Sequence, residues 1–289
     1  MAQAKLKHPQ NVSGQFFVDT TCIDCGTCYW MAPQTFRENT DQSTVYHQPE
    51  SDEDQKRSYQ ALLSCPTSSI GVEKRPDWSQ EILNSFPHLI EQNVFHCGFH
   101  AESSYGAASY FIQDPRGNIL IDSPRFFPHL VKAFEKLGGI RYQYLTHKDD
   151  IADTDKYYEH FKSERIIHLD DTNSKTKNYE IILKGQDNFK LYEDAIIIPV
   201  PGHTKGHTTL LYKDHFLFTG DHLAYSNKNK QLIAFKNACW YDFTVQINSM
   251  EKLQNYSFSQ ILPGHGAPFY APPQKMIVEM QNCIEWMKS

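Results

Sequence analysis

The stretch that decides the fold is Pro-Gly-His-Thr-Lys-Gly-His at residues 201–207, which directly follows a predicted strand at 193–200. Three further motifs are Thr-His at 146–147, Thr-Gly-Asp-His at 219–222 and Pro-Gly-His at 263–265. Each of them also follows an apolar run that is predicted as a strand. Loops at the ends of strands in a rigid sheet bring distant side chains together. The pattern therefore predicts a site of histidine and aspartate, donors that suit a catalytic zinc or iron ion.

Outward from these motifs, predicted strands alternate with predicted helices. The helices are predicted at 51–63, 128–137, 152–162, 243–253 and 273–287. The first of them begins at Ser51, which forms a variant of a capping box with Asp54. It ends before Pro66, because proline cannot continue a helix. Together with strands predicted at 15–19, 107–113, 118–122 and 142–145, these helices predict a mixed chain, which we assign to the α+β class.

A second set of metal donors lies near the N-terminus. Cys22, Cys25 and Cys28 follow one another at a spacing of three, and Cys65 arrives from a distance with a proline after it. This is the ligation pattern of a [4Fe–4S] cluster. The alternatives are unpaired thiols or a structural zinc site, although such a site usually has two separated pairs of cysteines. The pattern therefore predicts one cluster held by these four thiolates.

Composition bears on the cellular location of the protein and on its partners. The other three cysteines, Cys97, Cys239 and Cys283, form no disulfide framework, and a cluster needs reduced thiolates, so a cytoplasmic location is predicted. The first ten residues lack the apolar core of a secretory signal, and no apolar stretch approaches the ~18–20 residues of a membrane span. The formal charge is −6 without a basic stripe, so nucleic acid is not an expected partner.

Both motif sets resemble known families. Residues 12–75 resemble the single-cluster bacterial ferredoxins and lack the second cysteine run of two-cluster ferredoxins. The four histidine and aspartate motifs, in their order and with their glycines, resemble the metallo-β-lactamase superfamily over residues 90–270. That resemblance implies a four-layer αββα sandwich with metal ions at one edge of the sheets. The chain is thus predicted to have a ferredoxin-like domain at 1–76 and a metallo-β-lactamase-like domain at 77–289.

The resemblance also implies a set of metal ligands. In the superfamily one metal site uses histidines of the first and second motifs, a second site uses the last histidine, and the aspartate of the third motif bridges them. On this chain those positions are His147, His203, His265 and Asp221. His147, His203 and Asp221 together form a two-histidine, one-carboxylate face that suits non-haem iron as well as zinc. One or two zinc or iron ions are therefore predicted.

The first motif departs from the superfamily pattern. Members usually have His-x-His-x-Asp-His, whereas this chain has His-Lys-Asp-Asp-Ile-Ala-Asp-Thr at 147–154, so two histidines are missing. Asp149 and Asp150 are candidate replacement ligands, and as hard oxygen donors they favour iron or manganese over zinc. With Asp153 they are also candidates for orienting a metal-bound water or accepting its proton. The alternative is a degenerate site that holds no metal.

Two further histidines lie inside the motifs. His207 is predicted to support the ligands rather than bind the metal. His222, next to Asp221, is a candidate substitute for a missing ligand.

Three functions remain open at this stage. The prediction is metal-dependent hydrolysis of a small ester or thioester, the commonest chemistry in the superfamily. One alternative is a non-haem iron oxidoreductase acting on oxygen, nitric oxide or a sulfur species, with electrons from the cluster. The other is a redox-regulated module that only binds a ligand. The expected partners are a small-molecule substrate and, for electron transport through the cluster, a redox partner protein.

Overall fold

The computed structural model describes residues 2–74 and 79–289. The chain divides into two compact units, the first formed by Met1–Arg141 with Ala152–Lys162 and the second by Tyr142–Ile151 with Ser163–Ser289. The predicted domain boundary between residues 76 and 77 lies outside the described residues. Within those residues, none of the helices is both long enough and apolar enough to span a membrane.

The N-terminal part of the first unit surrounds the cysteine motif. Its elements are β1 (Phe16–Val18), α1 (Thr27–Met31), β2 (Phe36–Asn39), β3 (Gln42–Val45), α2 (Asp52–Ser64) and β4 (Ile70–Val72). β1 and β4 pair antiparallel, so the chain before the first cysteine lies beside the chain after the last. The Ser51 hydroxyl caps α2 by accepting from the Asp54 N–H at 3.1 Å, and α2 ends directly before Cys65.

The rest of the first unit is a small sheet with helices. Its elements are α3 (Ser79–Leu83), β5 (His88–Glu91), β6 (Val94–His96), β7 (Tyr110–Ile112), β8 (Ile119–Ile121), α4 (Pro128–Lys136) and α5 (Thr154–Phe161). β5 to β8 pair antiparallel in chain order. α4 buries Leu130, Val131 and Phe134, which lie on one face at helical spacing, and Phe134 stacks on Phe111 with ring centroids 4.8 Å apart. Gly138, with φ of 104°, ends this helix.

The second unit contains three parallel strands and a larger mixed sheet. The parallel strands are β9 (Tyr142–Tyr144), β10 (Glu164–His168) and β11 (Ile181–Leu183). The larger sheet has the order β12 (Phe189–Tyr192), β13 (Ala195–Pro199), β14 (Thr208–Tyr212), β15 (Phe216–Gly220), β18 (Gln260–Pro263) and β19 (Phe269–Tyr270). A hairpin of β16 (Ala224–Ser226) and β17 (Gln231–Ile233), with α6 (Phe243–Leu253) and α7 (Pro273–Lys288), completes the unit.

The larger sheet is the rigid base of the second unit. Every residue of β14 and β15 is buried. Apolar side chains of β13, β15 and β18, among them Ile198, Leu217 and Ile261, form one core with Met250 of α6 and Met280 of α7. Fully buried side chains of this size contribute roughly 1.5–3 kcal/mol each, so the strand ends that carry the motifs are held firmly.

The predicted helices agree closely with this fold. The five predicted helices occur as α2, α4, α5, α6 and α7, with their ends shifted by at most two residues. Several elements were not predicted, among them α1, α3 and the β2–β3, β5–β6 and β16–β17 hairpins.

Candidate cluster and metal sites

The four motif cysteines surround one cavity in the first unit. All four of them line this cavity. Gly26 begins α1 with φ of 82°, and an added Cβ there would lie 2.9 Å from the Tyr29 hydroxyl. Glycine alone adopts such a conformation freely. The chain can therefore turn between the second and third cysteines and aim all four side chains into the cavity.

The sulfur atoms lie in a buried setting with backbone donors. The Asp24 N–H donates to Cys22 Sγ at 3.4 Å, and the Ser69 N–H donates to Cys65 Sγ at 3.3 Å. Burial raises the pKa of Cys25 to about 11. Four soft donors facing one cavity fit a [4Fe–4S] cluster, whose binding displaces the thiol protons.

The histidine and aspartate motifs meet at the strand ends of the second unit. His147 follows β9, His203 follows β13, Asp221 directly follows β15, and His265 follows β18. Gly202, with φ of 153°, precedes His203, and an added Cβ there would lie 2.4 Å from the Gln246 backbone. The close approach to α6 that places this loop therefore requires glycine.

Four donor atoms face one another at this point. The Nε2 atom of His147 lies 3.8 Å from Asp149 Oδ2 and 3.8 Å from Asp221 Oδ2. The Nε2 atom of His203 lies 3.7 Å from each of the same two oxygens. The structure thus brings two imidazoles and two carboxylates together around a common point.

These donors fit a metal ion because they lack other partners. Three buried nitrogens have no hydrogen-bond partner among the described residues. They are both ring nitrogens of His203 and the Nε2 of His147. Buried polar atoms are rarely left without a partner, and each such atom costs about 1–3 kcal/mol. Burial, assisted by His203, lowers the pKa of His147 to about 4. The imidazole is therefore neutral near pH 7, the form that binds metal.

Asp221 links this set to His265. The His265 Nδ1 atom lies 2.7 Å from Asp221 Oδ1, on the opposite side of the carboxylate from the histidine pair. Burial opposes ionisation of Asp221, but His265, His147 and His203 outweigh it and hold its pKa below the usual range. Asp221 can therefore serve as an ionised ligand whose second oxygen is fixed by His265.

Asp150 lies beside His147 and Asp221, and these three residues offer ligand atoms within 4.8 Å of one another. The Asp150 side chain is buried, and an added Cβ on Gly264 would lie 3.0 Å from Asp150 Oδ2 and 2.9 Å from Asp221 Oδ1. Asp150 Oδ2 also lies 4.0 Å from His147 Nδ1. Asp150 is therefore adjacent to the donor set, and glycine at position 264 leaves room for both carboxylates.

Asp153 occupies a different setting, at the start of α5 in the first unit. Its Oδ2 accepts a hydrogen bond from the Phe126 N–H at 2.7 Å, and its Oδ1 pairs with Lys156 at 2.9 Å. The described groups of facing metal donors do not include it. Its carboxylate thus anchors the chain before α4.

His207 and His222 lie behind the donors. The His207 ring stacks on His147 with centroids 4.9 Å apart, and its Nε2 accepts from the Asp221 N–H at 3.3 Å. His222 is fully buried, with its ring centroid 5.6 Å from that of His207. His207 thus contacts two members of the donor set, and its supporting role stays a prediction.

Asp171 was not predicted from the sequence, yet it joins two of the loops that carry donors. Its Oδ2 accepts from the Lys148 N–H at 3.1 Å and from the Thr204 hydroxyl at 2.5 Å, and its Oδ1 accepts from the Gly206 N–H at 2.7 Å. The side chain is almost completely buried. The neighbouring Asp170 is exposed and pairs with Lys205. Asp171 therefore fixes the loop after β9 relative to the loop after β13.

An aromatic pair lies beside His203. The N–H groups of Trp240 and Tyr241 donate to the His203 carbonyl at 2.8 and 3.1 Å, and the Trp240 ring centroid lies 6.3 Å from that of His203. Trp240 is 64% exposed and Tyr241 49% exposed. This segment therefore offers an accessible apolar surface next to the donor set.

Comparison with known proteins supports both parts of the sequence interpretation. Residues 18–72 match the family model of the 4Fe-4S single cluster domain of Ferredoxin I, which contains the four motif cysteines. The predicted ferredoxin-type segment is thereby confirmed, and with it the expectation of a cluster of the 4Fe-4S type. No curated protein sequence matches the chain at a significant level.

Several metallo-β-lactamases are among the solved structures similar to this chain. DIM-1 exposed to ceftazidime is 18% identical with a TM-score of 0.54, covering 69% of this chain and 95% of that one. FIM-1 from Pseudomonas aeruginosa in its mono-zinc form is 15% identical with a TM-score of 0.52, covering 68% and 93%. BLEG-1, a B3 enzyme, is 14% identical with a TM-score of 0.52, covering 68% and 100%. At these identities the likeness concerns the fold, and it confirms the predicted metallo-β-lactamase fold.

Proposed function

We propose that the second unit binds one zinc or iron ion between His147, Asp149, His203 and Asp221 and uses it to hydrolyse a small ester or thioester. The four facing donor atoms carry this proposal, because each Nε2 lies 3.7–3.8 Å from both carboxylate oxygens. Ligands about 2.1 Å from a shared tetrahedral ion lie roughly 3.4 Å apart. Small side-chain movements therefore suffice to close the set around an ion.

A single ion is favoured over two by the contact between His265 and Asp221. Their atoms are 2.7 Å apart, which is a direct hydrogen bond and leaves no space for an ion between them. In this proposal His265 donates to Asp221 and orients it. This is the role that groups behind a ligand usually have at metal sites.

The bound ion would lower the pKa of its water to about 7 and supply hydroxide for attack on an acyl carbonyl. Asp150 is buried beside Asp221 and would accept a proton or orient that water. The Asp149 side chain is 42% exposed, so it marks the side from which solvent and substrate reach the site. The roles of Asp149 and Asp150 thus differ, one binding the ion and the other handling protons.

The substrate class follows from the surroundings of the donors. Trp240 offers an exposed ring beside His203, and the next residue, Tyr241, is also exposed. Aromatic side chains bind apolar groups through large contact areas. An acyl or aryl ester or thioester with an apolar substituent is therefore the class that fits this surface.

A second function is favoured by the donor set itself. Two of its four donors are carboxylates, which bind iron and manganese better than a set of three histidines does. The chain also carries the segment that matches a 4Fe-4S ferredoxin domain. An iron oxidoreductase that receives electrons from the cluster is therefore the alternative function.

Anaerobic purification of the full chain separates these functions. The measurements are zinc and iron content, thioester hydrolysis, and oxygen consumption with dithionite as electron donor. Hydrolysis that requires the metal and is independent of the reductant supports the proposal. Metal-loaded protein that consumes oxygen and hydrolyses nothing supports the oxidoreductase. If the second unit binds neither zinc nor iron, both enzymatic functions are excluded and the redox-regulated ligand-binding module remains.

The Asp149→His variant sharpens this test. The substitution restores a nitrogen donor at the position where the superfamily has histidine, so zinc affinity should rise while hydrolysis is retained. An oxidoreductase should instead lose iron and activity. Asp170→His is the matched control, because Asp170 lies on the surface and pairs with Lys205. Equal zinc affinity in both variants would place Asp149 outside the site.

A further inference from the structure

A line of buried hydrogen bonds leads from one cluster cysteine into the sheet of the first unit. Thr27 Oγ1 lies 3.4 Å from Cys25 Sγ and 3.0 Å from His100 Nδ1. His100 Nε2 in turn lies 2.8 Å from His96 Nε2. Thr27, His96 and His100 are each at most 5% exposed. These hydrogen bonds join the loop that carries the cysteines to His96 at the end of β6 and to His100 in the loop after β6. The two segments are far apart in the sequence.

The chemistry of the partners fixes the direction of these hydrogen bonds. The Gly106 carbonyl lies 2.8 Å from His100 Nδ1 and can only accept, so this nitrogen carries a proton. Burial together with the neighbouring His100 lowers the pKa of His96, and two adjacent neutral imidazoles are the stable state. His100 Nε2 therefore accepts from the His96 N–H. The Thr27 hydroxyl can donate to the Gly106 carbonyl at 3.3 Å or to Cys25 Sγ at 3.4 Å, and once that sulfur is a thiolate the charged acceptor is favoured.

The surroundings strengthen these hydrogen bonds by excluding water. The His96 ring contacts the rings of Trp30, Phe86 and Tyr110, with centroids 5.3–6.1 Å away. An added Cβ on Gly106 would lie 2.9 Å from Cys25 Sγ, so the backbone of this loop closes over the sulfur. In such a low-dielectric setting hydrogen bonds to charge are stronger and neighbouring donors reinforce one another.

We propose that His96, His100 and Thr27 form a donor chain that stabilises the reduced cluster through the sulfur of Cys25. Reduction adds one electron from an external one-electron donor, and no proton changes its atom. The added negative charge spreads onto the sulfur ligands, where donated hydrogen bonds stabilise it and raise the reduction potential. This inference concerns the cluster and goes beyond the reaction proposed for the second unit.

The test is the midpoint potential of the cluster in the reconstituted full chain, measured by a dithionite titration followed by electron paramagnetic resonance. Thr27→Val keeps the shape of the side chain and removes the hydroxyl. It should favour the oxidised form by about tenfold, equal to 59 mV for a one-electron couple. Thr67→Val is the matched control, because Thr67 Oγ1 lies 3.7 Å from Cys65 Sγ and its other partner is Ser69, not an imidazole. Equal shifts in the two variants would overturn the proposal.

Variants along the chain test whether the imidazoles take part. His100→Leu leaves the Thr27 hydroxyl to donate to the Gly106 carbonyl, 3.3 Å away, so the potential should fall nearly as far as in Thr27→Val. His96→Phe retains the aromatic packing and removes only the outermost donor, so it should give a smaller fall of the same sign. If His100→Leu does not fold, His96→Phe still decides the question. An unchanged reduction potential in His96→Phe, with an intact cluster spectrum, would overturn the role proposed for the donor chain.

Discussion

The two candidate sites differ in how their donors are brought together. The cluster donors lie within residues 22–65, on two short segments held side by side by the pairing of β1 with β4. The donors of the proposed metal site extend from residue 147 to 221 and come from the loops after three different strands. A site of the first kind is encoded mainly by local spacing. A site of the second kind depends on the register of a whole sheet.

The sites also differ in the charge state of their donors before loading. Burial raises the pKa values of Cys25 and Cys28, so these thiols are neutral. In the second unit, the neighbouring histidines overcome burial and lower the pKa of Asp221. Loading the cluster therefore displaces protons, whereas the metal site already holds an ionised carboxylate.

The largest expected effect tests whether the sites load independently. Changing Cys25 to Ser in the full chain should remove the [4Fe–4S] cluster, lowering inorganic sulfide from about four per chain to nearly none. The metal content of the second unit should not change, because its donors come from other segments. Sulfide analysis, visible absorption and zinc content measure both outcomes.

Cys239→Ser is the control for this variant. Cys239 lies in the second unit, where its thiol donates to the Gly202 carbonyl at 3.1 Å, a contact that serine can reproduce. Sulfide should stay at the wild-type value. Loss of sulfide in both variants, or four sulfides retained in Cys25→Ser, would contradict the assignment of the cluster ligands.

The next effect concerns the metal site. His203→Ala should lower metal affinity by more than about 100-fold, since even groups behind the ligands contribute 10–100-fold. Its thermal unfolding without metal should change little, because the imidazole nitrogens have no hydrogen-bond partner among the described residues. Titration with zinc and a competing chelator measures the affinity. His160→Ala, which removes an exposed imidazole paired with Glu135, is the control.

Spacing explains why the cysteine motif could be predicted from the sequence. Three closely spaced cysteines and a fourth before proline indicate a cluster without knowledge of the fold, and the match over residues 18–72 confirms this. The β2–β3 hairpin in the same segment was missed, because β2 reads Phe-Arg-Glu-Asn and buries only Phe36. A strand with one apolar residue has no alternating pattern to detect.

For the metal site, the sequence predicted the candidate donors but not the residues that hold them. His203 and Asp221 stand in glycine-containing motifs and His147 directly follows a predicted strand, although their metal binding stays a prediction. Asp171 has no such signal: it follows Asp170, and only the turn after β10 makes one buried and the other exposed. Which aspartate faces inward depends on backbone geometry that composition and spacing do not specify.

The Asp171→Asn variant therefore separates two contributions to metal affinity, that of the fixed loops and that of the ligands themselves. Asparagine cannot accept at both side-chain positions, so hydrogen bonds from Lys148, Thr204 and Gly206 cannot all be kept. We expect a loss of about 10–100-fold in metal affinity and roughly 1–3 kcal/mol in stability. Asp170→Asn should leave both unchanged. Equal behaviour of the two variants would show that the loops after β9 and β13 are fixed by other contacts.

The smallest expected effect tests the aromatic surface and rests on the proposed hydrolysis. Trp240→Ala should raise KM for an aryl thioester several-fold and leave kcat nearly unchanged, because a contact made equally in the ground and transition states affects binding alone. Stability should change by less than about 0.5 kcal/mol, since the ring is 64% exposed. Trp286→Ala removes a partly exposed indole from α7 and should leave KM unchanged. A fall in kcat with constant KM in Trp240→Ala would instead mean that this segment positions His203, whose carbonyl accepts from the Trp240 N–H.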